Sequence, residues 1–260
     1  MLSIIVLNYN RLKYTKRTIS NLISKTTVEH EFIFVDNGSI DGTREYLKSL
    51  EYETNAKVVK YIFNDENLGV AGGRNIGLRA ADGYYLMTID DDILVPDNYD
   101  KLLIEACDKI PKLGITGISV EKKNYPVKNI NGVDLQFKKD GNLNGGCLCM
   151  PRRTFDRVGY FYAFATYGVE DCDMYVRIKY LKLISAYIIP KGIHIDEKNN
   201  AEYAALKKSY HSPKSKVFRS VGSNEIRYKK TKNVYVPYMV STKGQKHLIG
   251  LLKRRSKNDI

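Results

Sequence analysis

The chain contains no tryptophan, only four cysteines and seven prolines in 260 residues. It also lacks any long apolar stretch. The longest runs, Ile4 to Leu7, Gly114 to Val120 and Ala186 to Ile189, fall far short of the ~20 residues needed to span a bilayer. That excludes an integral membrane segment. Cys107, Cys147, Cys149 and Cys172 are too few and too irregularly spaced for a disulfide framework, and Cys147-x-Cys149 is not a zinc knuckle. We read all four as reduced thiols. No basic segment, apolar core and cleavage site open the chain, which runs straight into a strand pattern. The expected location is the cytoplasm. No Gly-x-Gly-x-x-Gly follows the first strand and no Gly-Lys-Ser/Thr ends a glycine loop, so dinucleotide oxidoreductases and P-loop NTPases lose their main support.

What is present suits a folded enzyme-sized domain with an appendage. Hydrophobic residues make up 43% and charged residues 27%, enough to build a core and unlike a disordered chain. The net charge of +13 is unevenly spread: −4 over residues 1–110 and +17 over 111–260, with +12 in 197–260 alone. Such a basic end fits either a solvated tail or an anionic partner, such as a phosphorylated acceptor, a membrane surface or nucleic acid.

The first half alternates strand and helix patterns. Apolar runs at Ser3 to Leu7, Glu31 to Val35, Val58 to Phe63 and Tyr84 to Ile89 read as strands. Between them lie helical spacings through Thr18, Ile19, Leu22 and Ile23, through Tyr46, Leu47 and Leu50, and through Val70, Gly73, Gly77, Ala80 and Ala81. The third helix has a small-residue face suited to close approach. This βαβαβαβ rhythm predicts a parallel sheet covered by helices, with ligands beyond the carboxyl ends of its strands. The polar clusters around Asn8, Asp36, Asn64 and Asp90 all fall at those ends. The second half is less regular: a Gly/Asn loop at 142–146 before a Cys-Leu-Cys-Met strand, an aromatic loop from Tyr160 to Gly168, a helix after Asp173 and a strand over Ala186 to Ile189.

Asp90-Asp91-Asp92 is the sharpest local signal. Three adjacent carboxylates repel one another, and a hard divalent cation with oxygen ligands would offset that cost. A solvated turn is the plainer alternative. Asp36-Asn37-Gly38-Ser39 reads as turn and cap residues, or as a carboxylate accepting an N–H from a nucleobase. The stretch Asn67 to Asn75 puts Arg74 near a helix start, where phosphate is favoured. Glu170-Asp171 is either helix-dipole capping or a general base for an acceptor hydroxyl. His194, between two isoleucines past a strand, is a structural histidine or a metal ligand.

The order of these motifs carries more than each alone. IIVLNYN, FVDNGSIDGT, NLGVAGGRNIGLRAADG, LMTIDDD, GGCLCMPRRTFDRVGYF and YGVEDCDMYVR together resemble a family 2 glycosyltransferase with the GT-A fold, over residues 2 to 195. The resemblance implies an α/β GT-A nucleotide-sugar-binding fold, a mainly parallel central sheet flanked by helices, with a basic C-terminal extension. The domain would cover 1–196, its 1–92 half binding the nucleotide-sugar and its 93–196 half the acceptor, with a Tyr-rich extension at 197–260. It further implies sugar transfer from a nucleoside-diphosphate sugar, UDP-sugar favoured, with inversion and with Mn²⁺ or Mg²⁺. Carried over, Leu7, Asn8 and Tyr9 would line the base pocket, Asp36 would hold the base and Arg74 would lie along the nucleotide. Asp92 would bind the metal, Asp90 or Asp91 the ribose or sugar, with Asp90 and His194 as further metal ligands. Asp171 would be the base, with Glu170 beside it.

Three functions stay open on the sequence. The first is a transferase building a surface glycan on a hydroxyl acceptor, with peripheral contact at the inner membrane face through a short helix in Lys243 to Lys257. The second is a transferase acting on hydroxymethylated bases in phage DNA, for which the basic end and tyrosines 203, 210, 228, 235 and 238 would suit a polyanion. The third is a non-catalytic sugar-nucleotide-binding module, disfavoured by the joint presence of the aspartate triplet and Glu170-Asp171.

Overall fold

The structure, a computed structural model, describes residues 1–50, 54–163 and 170–195, together with strands at 225–231, 234–240 and 246–248. Four strands, β1 (Leu2–Asn8), β2 (His30–Asp36), β3 (Val58–Phe63) and β4 (Tyr85–Asp90), pair in parallel in the order β3-β2-β1-β4. Helices α1 (Leu12–Lys25), α2 (Thr43–Ser49) and α3 (Gly69–Ala80) make the crossovers. The chain continues through β5 (Ile93–Leu94), α4 (Tyr99–Lys109), β6 (Leu113–Ile118), the hairpin β7 (Val127–Ile130) and β8 (Val133–Gln136), β9 (Cys147–Pro151) and α5 (Arg152–Val158). Helix α6 (Glu170–Tyr180), β10 (Ile184–Ile188) and β11 (Ile193–His194) complete it. Strand β9 runs antiparallel between β4 and β6, and β10, β8 and β7 extend the sheet to nine strands. The two halves of the expected domain therefore share one sheet.

Every residue of β1 is buried, because helices cover both faces of the sheet. Its side chains alternate between two cores. Leu2, Ile4 and Val6 pack with Ile19 and Leu22 of α1, Leu47 of α2 and Leu103 of α4. Ile5 and Leu7 pack with Leu78 of α3, Phe155 of α5 and Ile178 of α6. Each such side chain contributes about 1.5–3 kcal/mol by leaving water. The small face of α3 lies on the sheet as expected. A Cβ at Gly77 would stand 2.3 Å from Ile5 Cγ2, and one at Gly73 2.4 Å from Leu7 Cδ1.

Register then gathers the polar strand ends. Asn8 pairs with Asp36, Leu7 with Asp90, and Asp36 with Phe63. One edge of the sheet thus carries all four polar clusters, as the sequence pattern predicts.

The second half holds more regular structure than its sequence pattern predicts. Gly114 to Val120, noted only as an apolar run, lies largely in β6, and α4, α5 and the β7–β8 hairpin had no counterpart. That hairpin turns on Asn131 and Gly132, both at positive φ (52° and 82°), an Asn-Gly signal that was present in the sequence. Near the C-terminus, β12 (Glu225–Thr231), β13 (Val234–Val240) and β14 (Lys246–Leu248) form a separate antiparallel sheet. This corrects the expectation of a helix through Lys243 to Lys257 at residues 246–248, which form a strand paired with β13. Residues 249–257, Tyr203, Tyr210 and the 164–168 part of the aromatic loop lie outside the described residues. No helix among the described residues is long and apolar enough to cross a membrane.

Candidate active site

The loops after β1 and β2 are tied to each other. The Asn10 N–H donates to Ser39 Oγ (3.0 Å), Ile40 N–H to Asn10 Oδ1 (2.8 Å) and Leu12 N–H to Asp41 Oδ2 (2.8 Å). Asp41 also accepts from the Thr43 N–H (3.1 Å), an Asx turn leading into α2, whose N-cap is Gly42 with no side-chain cap bond. Asn37 is buried and organises the β3–α3 loop, donating to Asn67 Oδ1 (2.8 Å) and accepting from Asn64 Nδ2 (3.0 Å) and Leu68 N–H (3.2 Å).

The residues expected around a nucleobase occupy this corner unequally. Tyr9 is partly exposed at the strand end, and Leu7 packs beside Gly73. Asn8 is fully buried, and its Nδ2 donates to the Val6 (2.9 Å) and Val35 (3.2 Å) carbonyls, stitching β1 to β2. Asp36 is likewise buried, paired with Arg44 Nε at 3.1 Å and accepting the Ser39 N–H.

The aspartate triplet splits three ways at the end of β4. Asp90 Oδ1 accepts from Arg74 at 2.6 Å. Asp91 is buried, accepting from Thr15 Oγ1 (3.0 Å) with Arg11 Nη1 at 3.4 Å. Asp92 is also buried, paired with Arg11 Nη2 and with His194 Nε2 at 3.1 Å. Strand β11 brings His194 there by pairing antiparallel with β5, and the Ile195 N–H closes the ladder on the Asp92 carbonyl (2.9 Å).

The environments push the three carboxyls apart. Burial raises Asp91 to about 7 despite Arg11. Burial also acts on Asp92, but His194 and Arg11 outweigh it and hold that carboxyl down at about 2. Asp90 is raised, by burial and by repulsion from Asp92, against the pull of Arg74. The expected metal set of Asp92, Asp90 and His194 is therefore present as a pair. Asp92 and His194 adjoin, Asp90 is turned to Arg74, and no group of three or more such ligands assembles among the described residues. One carboxylate and one imidazole, completed by ligand phosphates, fit Mn²⁺ or Mg²⁺ better than an all-protein cage would.

Arg74 sits beneath this cluster, 2% exposed. Its guanidinium bonds Asp90 (2.6 Å) and the Gly145 carbonyl (2.8 Å), reaches Glu170 Oε1 at 3.4 Å and lies 5.6 Å from the Phe161 ring centre. Burial would disfavour its charge, but Asp90 and Glu170 outweigh that and raise its pKa. Glu170, first residue of α6, is raised by burial, with Arg74 opposing. Arg74 thus joins the aspartate triplet to the Glu170-Asp171 pair, and in this arrangement it is a buried clamp. The glycine loop passes between them: a Cβ on Gly145 would lie 3.0 Å from Arg74 Nη1 and 3.5 Å from Asp171 Cβ.

Sequence reasoning missed four residues of this network. Arg11 supplies the cation for Asp91 and Asp92. Asn75 clamps both peptide groups of Phe161, donating to its carbonyl (2.8 Å) and accepting its N–H (2.9 Å). Arg177 holds the Val158 (2.5 Å) and Tyr160 (2.8 Å) carbonyls and pairs with Asp173. Asn37 was seen only as part of a turn. Arg11 stands out in sequence as the one cation of the NYNR cluster at a strand end, but its partners, 80 and 81 residues away, do not.

A nine-stranded, mainly parallel sheet with acidic residues at its carboxyl edge and a mixed Asp/His pair is the GT-A glycosyltransferase fold. The chain belongs to glycosyl transferase family 2, whose family model matches residues 3–156. It is similar to the poly-beta-1,6-N-acetyl-D-glucosamine synthase of Staphylococcus epidermidis, 32% identical over 117 residues, 45% of this chain and 28% of that one. The chain spans less than half the length of the curated relatives it matches. Among solved structures it resembles the mannosyltransferase PcManGT of Pyrobaculum calidifontis in complex with GDP-Man and Mn²⁺. There the TM-score is 0.63 at 18% identity, covering 84% of this chain and 64% of that one. It also resembles S. aureus TarS 1-349 in complex with UDP-GlcNAc, with a TM-score of 0.59 at 19% identity, covering 78% and 60%.

Proposed function

We propose that this chain transfers a sugar, with inversion, from a nucleoside-diphosphate sugar to an acceptor hydroxyl in the synthesis of a surface glycan. The observation that carries this reading is the Asp90–Arg74–Glu170 bridge, which couples a donor-side carboxylate cluster to a second carboxylate pair across one cleft edge. The polysaccharide synthase relative and the sugar-nucleotide complexes of the structural neighbours support the substrate class. The domain division, with 1–196 as the transferase unit and 197–260 as an extension, belongs to the same proposal.

In this reading Leu7 and Tyr9 flank the base, and Asp36 fixes it once Arg44 yields. Asn8 supports the strand end from within. Asp92 and His194 would hold the divalent ion, which neutralises charge on the leaving diphosphate when bound. Asp90 or Asp91 orients the ribose or the sugar. Asp171 removes the proton from the acceptor hydroxyl as its oxygen attacks C1. The C1–O bond to the diphosphate breaks on the opposite face and its electron pair leaves with the phosphate oxygen. Arg74 keeps Asp90 and Glu170 charged and in place, so that the acceptor meets a preformed anionic pocket.

A thermal-shift screen of UDP-, GDP-, dTDP- and CDP-sugars, each with Mn²⁺ and with EDTA, tests the donor class. Ligands that bind only the folded state raise its melting temperature. The expected result is a metal-dependent rise with one nucleotide, UDP being favoured; no rise with any of them would remove the reading. Asp171→Asn is expected to keep that rise while losing transfer.

A further inference from the structure

We infer that Arg11 is a built-in counter-cation that occupies the metal-binding carboxylate until a divalent ion displaces it, and so sets the affinity of the site for metal. The inference rests on the proposed Asp92/His194 metal site and extends it to a residue outside that set.

Three observations carry it. Arg11 immediately precedes α1, with φ −146° and ψ 40°, and no side-chain cap bond from it serves the helix. Its guanidinium instead spans Asp91 (3.4 Å) and Asp92, two buried carboxylates, and its own side chain is largely buried beside the Tyr14 ring, 5.2 Å from the ring centre. The oxygen it holds on Asp92 is Oδ2, the same atom that faces His194 Nε2 at 3.1 Å. A divalent ion held by Asp92 and His194 would compete with Arg11 for this oxygen.

The charge arithmetic agrees. Two adjacent buried carboxylates without a cation would be costly, so the metal-free protein needs a resident positive group. A guanidinium fills that need because its planar fork reaches two carboxylates at once. For the same reason it opposes a divalent ion, both by competing for Asp92 and by direct repulsion. The site-competent state is then only a fraction of the metal-free population, and apparent affinity falls by that fraction. Asp91 offers the displaced guanidinium a second anchor, so Arg11 can shift from Asp92 without losing every partner.

The test is Mn²⁺ binding to the full chain without nucleotide, read from the loss of the free-ion EPR signal, for the wild type, Arg11→Gln and Asp92→Asn. Arg11→Gln is expected to bind Mn²⁺ on the order of tenfold more tightly than the wild type. Equal or weaker binding by Arg11→Gln, while Asp92→Asn abolishes binding, would overturn the inference and leave the metal site standing. Undiminished binding by Asp92→Asn would overturn the metal site itself and the inference with it. Should the Gln variant fail to fold, Arg11→Lys keeps the charge but loses the two-carboxylate fork, and binding tighter than wild type is again expected. No gain in that variant would refute the proposal.

Discussion

Replacing Arg74 by Met removes the clamp while keeping most of its apolar stem, and the structure sets the cost. Glu170, with its side chain 10% exposed, loses its nearest cation, and the Gly145 carbonyl loses a donor. Breaking a buried ion pair by deleting one partner costs about 3–5 kcal/mol. Asp90 is 35% exposed, so water screens part of its loss and the lower end applies. We expect a loss of about 3 kcal/mol at pH 8, or roughly 6–12 °C in Tm for a domain of this size. Acidity supplies the sign. Glu170 and Asp90 already titrate above the ordinary carboxyl range, and without Arg74 they rise further. A carboxyl raised in the folded state holds more protons folded than unfolded, so stability falls as pH rises through that window. The deficit of the variant should therefore shrink between pH 8 and pH 5.5. Urea melts followed by circular dichroism at both pH values measure it, and Arg74→Met with Glu170→Gln should recover part of the loss. A deficit under about 1 kcal/mol at pH 8, below any buried ion pair, or one that grows on acidification would refute the clamp.

Glu31 is buried, accepting from Ser3 Oγ (2.6 Å) and the Asp82 (2.7 Å) and Gly83 (3.2 Å) N–H groups, with Lys60 at 2.7 Å. Burial opposes its charge, but Lys60, Ser3 and the backbone N–H win and lower its pKa, so its contribution is full above about pH 4.3 and fades as pH falls through the folded value. Glu31→Gln should cost about 2–3 kcal/mol at pH 7 and flatten the acid limb of the unfolding curve. Gly77→Val should cost at least about 2 kcal/mol in urea melts, because no side chain fits between α3 and Ile5. Asn75→Ala removes both bonds to the Phe161 peptide groups, and hydrogen exchange at the Phe161 amide should accelerate, by tenfold or more if about 1.4 kcal/mol of local protection is lost. His194→Ala should weaken Mn²⁺ binding by about tenfold or more in the same EPR titration used for Arg11.

The fold was legible where one period settled the matter. Strands β1 and β2 are buried throughout and β4 through its middle, so each reads as a mainly apolar run, while β3 at the sheet edge is only partly buried; α1 to α3 sit in the intervals between them. Gly73 and Gly77 showed close approach in advance, since nothing else explains small residues at helical spacing. The second half resisted for a different reason. The Cys-Leu-Cys-Met run does read as a strand, but β9 runs against its neighbours and enters the sheet between β4 and β6, a placement that no local rhythm announces. The Asn131-Gly132 turn did announce its hairpin, but its first strand, VKNI, is mostly exposed and shows no apolar alternation.

The site divides along the same line. Asp90-Asp91-Asp92 and Glu170-Asp171 stand out because like charges side by side in sequence are a local cost, visible without knowing the partner. Their compensation is not local. Arg11 reaches Asp92 from between β1 and α1, beside the end of the neighbouring β4, Arg74 reaches Glu170 from α3, and His194 arrives on a two-residue strand. Strand register decides these meetings, and register is a property of the whole sheet. Asn8 shows the converse: a polar residue at a strand end suggests a ligand contact from sequence, and in the fold its amide nitrogen bonds the Val6 and Val35 carbonyls. Acids could therefore be found by their mutual repulsion, whereas the cations that make them tolerable had to be located in space. A buried acidic cluster read from sequence should thus prompt a search for its counter-cation before any metal is assigned to it. In this protein that cation is Arg11, which holds the Asp92 oxygen that also faces His194.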